Sequence, residues 1–153
     1  MDTNLIGPAL LTDELLPLLS ASPHPERKIV FVSSKLGSIN STWNQAERGN
    51  VDLRAVTAFT EYAASKAALN LYAKHLSWRL GHSEEAGGKG GEQEGQKKKW
   101  KVNVVCPGYT KTNLNNYRGT QEPSEAAEIV ARVVKEEGGE TGTFRDREGV
   151  VPW

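Results

Sequence analysis

The stretch 62-YAASKAALNLYAKHLSWRL-80 decides the fold, because it is the longest run in the chain built from good helix formers with neither glycine nor proline. Two short apolar runs flank it at a distance, Lys28-Ile-Val-Phe-Val-Ser33 before and Lys101-Val-Asn-Val-Val-Cys106 after. Both are rich in β-branched residues and both stop abruptly, the first in Ser33-Ser34 and the second in Pro107-Gly108. Unbroken apolar runs of that length suit strands covered on both faces, as in a parallel sheet. A helix joining two such strands is the parallel βαβ unit.

The rest of the chain continues the alternation. Leu5, Ile6, Ala9, Leu10, Leu15, Leu16 and Leu19 recur at steps of three and four, which predicts an amphipathic helix kinked or frayed at Pro8 and Pro17. Pro123 is placed to open a third helix with Ala126, Val130, Val133 and Val134 on one face, ending at Gly138-Gly139. A last strand is expected near Thr141 to Phe144. Gly37 to Phe59 lacks any period and reads as a long loop. Ser83 to Lys99 carries five glycines and eight charged residues and is expected to remain a disordered insert. The fold class is therefore α/β, a parallel sheet with flanking helices.

Composition narrows the partners. The chain has 153 residues, with 19 basic and 19 acidic side chains, so no charge excess draws it to nucleic acid or to an anionic membrane. No segment reaches the roughly 18 apolar residues of a membrane span. Cys106 is the single cysteine and excludes an intrachain disulfide, which suits a reducing, cytoplasmic setting. His24, His75 and His82 lie far apart, and no metal site is expected.

In open parallel sheets, ligands bind outside the carboxyl ends of the strands. Ser33-Ser34 and Pro107-Gly108 should therefore border one crevice. Tyr62 and Lys66 lie one turn apart on a helix face, and the loop from Gly37 is long enough to bring that turn back to Ser34. A free tyrosine has a pKa near 10, but a neighbouring ammonium favours the phenolate. Moving it to about 7 takes roughly 4 kcal/mol, within reach of a close lysine helped by a cationic cofactor. Tyr62 would be the acid or base, Lys66 its tuner, and Ser34 a donor to a substrate oxygen. Taken singly, the Tyr62 and Lys66 pair could be a solvated helical pair, and Ser33-Ser34 a cap or turn. Cys106 reads as an inert buried thiol.

In order along the chain, NLIG (Asn4 to Gly7), IVFVSS (Ile29 to Ser34), YAASKAALN (Tyr62 to Asn70), VNVVCPGYTKT (Val102 to Thr112) and the closing GVVPW resemble the short-chain dehydrogenase/reductase family, and most of all its carbonyl-reductase-like members. The resemblance implies a Rossmann-like sheet and an NADP- or NAD-dependent oxidoreductase, with NADPH favoured, acting on a small carbonyl or alcohol. It implies that Tyr62 passes a proton to the substrate oxygen, and that Lys66 tunes it and holds the nicotinamide ribose. Ser34, with Ser33 as the alternative, orients the substrate, and the Asn4 carbonyl holds a relay water. Pro107 and Gly108 would line the nicotinamide, with Thr112 or Thr110 contacting its carboxamide or phosphate. It further implies a homo-oligomer formed through the Tyr62–Leu80 helix.

The glycine-rich phosphate turn and the first βαβ unit of such a domain have no counterpart in residues 1–153, so the chain is expected to carry the catalytic half, with the N-terminal dinucleotide half missing. The alternative function is a noncatalytic remnant or interaction protein that pairs with intact relatives.

Overall fold

A computed structural model describes residues 1–41, 57–86 and 99–153. The parts of the expected loop and insert that span 42–56 and 87–98 lie outside these residues. Three strands, β1 (Glu26–Val32), β2 (Lys99–Val105) and β3 (Phe144–Arg145), form one parallel sheet in the order β1-β2-β3. Three helices accompany them: α1 (Gly7–Ala21), entered through a π-helical turn over Asp2–Ile6, then α2 (Thr60–Ala86) and α3 (Pro123–Lys135).

Side-chain alternation along β2 divides the core. Val102, Val104 and Cys106 turn to one face, where Phe31, Leu69, Ala73, Leu76, Phe144 and Val151 complete the larger cluster. Val105 turns to the other and meets Ile129 and Val133 of α3. The sheet is thus sandwiched between α2 and α3, and α1 with its entry turn is tied to α2 by the Tyr72–Ala9 and Asn4–Ser65 hydrogen bonds.

Several expectations shift. Helix α2 runs through Gly81 to Ala86, so the first residues of the expected insert continue the helix up to the paired glycines that start at Gly87, and Lys99 at the other end of the insert already belongs to β2. Helix α3 ends at Lys135 instead of the glycines, because Glu136 turns extended and its carboxylate pairs with Arg145. The packed stripe of α3 is Ala126, Ile129, Val130 and Val133, while Val134 is exposed. In α1 the buried position is Thr12, whose hydroxyl bonds the Pro8 carbonyl at 2.7 Å, while Ile6, Leu10 and Leu15 face outward. The helix continues through Pro17, and Pro8 sits in its first turn, where an amide is unpaired anyway. Strand β1 is not covered on both faces along its length: Val32 is 47% exposed, since β1 is an edge with β2 as its partner.

The register matters most for function. Val32 pairs with Val105, and the Ser33 amide still reaches the Val105 carbonyl at 2.8 Å. Ser33-Ser34 and Pro107-Gly108 therefore leave the sheet at the same level and on the same edge.

Candidate active site

Ser34 follows β1 and caps a tight 3-10 turn over Lys35–Gly37, with its hydroxyl accepting the Leu36 amide at 3.2 Å. The turn lies directly on α2. A Cβ on Gly37 would stand 2.6 Å from the Lys66 carbonyl carbon and 2.8 Å from the Ala67 nitrogen, so only glycine allows this approach. The contact brings Ser34 to the first turns of α2, where its hydroxyl comes close enough to the Tyr62 phenol to favour the phenolate. Ser33 is directed elsewhere: it is buried, and its hydroxyl reaches back to the Lys66 carbonyl at 3.5 Å.

Lys66 lies one turn beyond Tyr62. Its ammonium stands 5.8 Å from the tyrosine ring centre and donates to the Val32 carbonyl at 3.1 Å, at the end of β1. Burial lowers the Lys66 pKa below the usual lysine range. The expected tuning of Tyr62 takes a different form here. Burial raises the phenol above its usual pKa, outweighing the opposing effect of the nearby Ser34 hydroxyl. The lysine ammonium is engaged instead by the backbone carbonyl of Val32. Tyr62 is consequently protonated at neutral pH, in the form that can donate.

Asn4 reaches this helix from the π-helical turn that precedes α1. Its side-chain amide donates to the Ser65 hydroxyl at 3.0 Å, and Ser65 in turn donates to the Tyr62 carbonyl at 2.7 Å. Pro8, four residues after Asn4, has no amide hydrogen, so the ordinary helical bond to the Asn4 carbonyl has no donor. Ser65 was not singled out from the sequence, although it lies within the YAASK run.

Past β2, Gly108 adopts φ +88°, a conformation that favours glycine. Gln121, also not foreseen, organises this turn. Its amide donates to the Pro107 carbonyl and lies 3.4 Å from the Thr110 hydroxyl, while its carbonyl accepts Arg147 at 3.0 Å. Thr110 bonds the Gly108 carbonyl at 3.2 Å, and the Thr112 amide is held by the Asn115 side chain at 3.3 Å. The loop is closed by backbone bonds Thr120–Tyr109 and Lys111–Gln121, leaving Tyr109, Leu114 and Tyr117 exposed. Nothing in the local sequence pattern marks Gln121, since its partners are 14 and 26 residues away.

The donor set suits a reduced or oxidised nicotinamide nucleoside. Lys66 has three ammonium hydrogens and, among the described residues, one hydrogen-bond acceptor, Val32, which leaves donors for a ribose diol. On the opposite side, Gln121 already occupies the space over Gly108, so a ring lying on this turn would rest against the glutamine amide. Among the described residues no group of histidine, cysteine and carboxylate side chains could hold a metal ion, and no helix is long and apolar enough to cross a membrane.

A parallel α/β sheet whose strand ends carry a serine and a tyrosine beside a lysine places these side chains at the edge where such sheets bind ligands. Comparison with known proteins narrows the reading. No protein-family model matches the chain. It is 29% identical to (-)-isopiperitenone reductase of Mentha piperita, over 95% of this chain and 50% of that protein. It is 27% identical to the short-chain dehydrogenase anuI of Penicillium roqueforti, over 88% of this chain and 46% of that protein. The solved carbonyl reductase Sniffer of D. melanogaster superposes with a TM-score of 0.63 at 25% identity, over 99% of this chain and 55% of that one. The chain is thus similar to short-chain dehydrogenases/reductases, carbonyl reductases among them, and it spans about half the length of the curated relatives it matches.

Proposed function

We propose that the protein is an NAD(P)-dependent oxidoreductase that interconverts a small carbonyl compound and its alcohol, with residues 1–153 forming one part of the catalytic domain. The observation that carries this reading is the meeting of the Ser34 turn with the Tyr62 and Lys66 turn of α2 at the carboxyl edge of the sheet, set by the close approach of Gly37 to the Lys66 backbone. Ser34 holds the substrate oxygen toward the phenol. In the reductive direction Tyr62 donates its proton to that oxygen, and in the oxidative direction it takes the proton from the alcohol. Lys66 binds the ribose hydroxyls and, turned from the Val32 carbonyl toward the phenol, stabilises the tyrosinate left behind. A reduced nicotinamide bound there supplies the hydride to the carbonyl carbon.

Asn4, held by Ser65, offers its backbone carbonyl to a water that returns a proton to the site. Pro107 and Gly108 line the nicotinamide, and Thr112 or Thr110 contacts its carboxamide or phosphate. NADPH is the favoured form of the cofactor, as the family resemblance implies. Calorimetric titration with NADPH and NADH tests the reading: tighter binding of NADPH supports it, and failure of both to bind at millimolar concentration contradicts it.

The outward Leu71 and Trp78 of α2 are one heptad apart and support pairing of this helix with a second copy. Sedimentation equilibrium is expected to show a dimer, and a monomer at every concentration would overturn the pairing. The single cysteine supports a cytoplasmic location, which cell fractionation checks.

A further inference from the structure

Lys35, the residue directly after Ser34, is fixed at both ends. Its backbone amide donates to the Cys106 sulfur at 3.3 Å, on the residue that precedes Pro107-Gly108. Its ammonium pairs with Asp146, at the end of β3, and with Glu148 at 3.3 Å. The two carboxylates are not equivalent. Glu148 is almost fully exposed and adds little. Asp146 is 6% exposed, and its carboxylate also accepts the amides of Glu148 at 2.8 Å and Gly149 at 3.0 Å, while its carbonyl takes the Arg132 guanidinium at 3.1 Å. A carboxylate so enclosed needs a counter-charge, and Lys35 is that charge.

We propose that Lys35 and Asp146 are positioning residues that hold the Ser34 hydroxyl against Tyr62 by tying the Ser34 turn to the ends of β2 and β3. The proposal rests on the role given to Ser34 above. The turn is then clamped from two sides: Gly37 sets its distance from α2, and the Lys35–Asp146 pair stops it from lifting off the sheet edge. The pair thereby connects the serine to the turn after β3, which carries no chemistry of its own. The same clamp covers the Cys106 thiol with the Lys35 amide, so the accessibility of that thiol reports whether the turn is seated.

Since Cys106 is the single cysteine, its rate of labelling by a disulfide reagent reads the turn without interference. Lys35→Met is expected to raise that rate by about tenfold through easier local opening, and Lys35→Arg to leave it near the wild-type value. With NADPH and a neutral ketone as substrates, Lys35→Met should lower kcat by about 10- to 100-fold while leaving cofactor affinity unchanged. In a Ser34→Ala background the same substitution should cost almost nothing more in kcat, because the group it positions is gone. Unchanged labelling, or a full additional loss in the Ser34→Ala background, would overturn the proposal. Faster labelling of Lys35→Met in a protein whose wild type shows no turnover with any ketone would overturn the functional reading, and the positioning role with it.

Discussion

Tyr62→Phe is expected to lower turnover by about 10²–10⁴-fold, the range that a positioned general acid or base contributes. Cofactor affinity should stay nearly intact, since the substitution keeps the ring that lies beside Lys66 and removes only the phenol oxygen. The fold should tolerate it. Tyr62 is half-buried at the start of α2, and the hydroxyl lost lies near Ser34, itself at a half-buried turn. Steady-state kinetics with NADPH and a neutral ketone, paired with calorimetry of NADPH binding, measures both halves of the expectation. Equal turnover in the variant and the wild type would remove Tyr62 from the acid-base role.

The second large effect belongs to Gly37→Ala. One added methyl would meet the backbone of Lys66 and Ala67 inside contact distance, and helix backbone cannot yield as a flexible side chain does. Either the Ser34 turn moves outward or α2 shifts, and both separate Ser34 from Tyr62. Overpacking of this kind costs about 1–3 kcal/mol, which denaturant titration will show as a lower midpoint. Turnover should fall with it by more than the loss of stability explains, because displacement of a substrate-positioning group by about 1 Å can cost on the order of 10²-fold. A Gly37→Ala protein with wild-type stability and turnover would mean that the turn does not set the Ser34–Tyr62 distance.

Much of the fold was readable because its signals are local. The two apolar runs that end in Ser33-Ser34 and Pro107-Gly108 mark strands whose carboxyl ends coincide, and the breaker-free run from Tyr62 marks the helix between them. The outward leucines of α1 were not readable in this way. Leucines recur so densely there that periodicity alone does not choose a face, and the buried position is Thr12, whose hydroxyl is satisfied by the Pro8 carbonyl. The end of α3 was hidden for a similar reason, because the Glu136–Arg145 pair that accompanies it links residues on different elements.

The site divides along the same line. Tyr62, Lys66 and Ser34 could be placed from residue spacing joined to a family resemblance. What holds them could not. Gly37 matters only through its distance to another helix, Gln121 only through bonds to Pro107 and Arg147, and Asp146 only through Lys35. The state of Tyr62 also depends on the enclosure around it. Spacing predicts a lysine that lowers the phenol pKa, whereas burial raises it and Lys66 is bonded to the Val32 carbonyl.

The most direct measurement is the fate of the transferred hydrogen. The protein is incubated with NADPH carrying deuterium at the transferable position of the dihydronicotinamide and with a neutral ketone, and the product alcohol is analysed by mass spectrometry, with Tyr62→Phe in parallel. Deuterium on the alcohol carbon in the wild type, and its loss in the variant, is the result predicted by a Ser34–Tyr62–Lys66 carbonyl reductase site. No deuterated alcohol from the wild type, or equal transfer by both proteins, would contradict it.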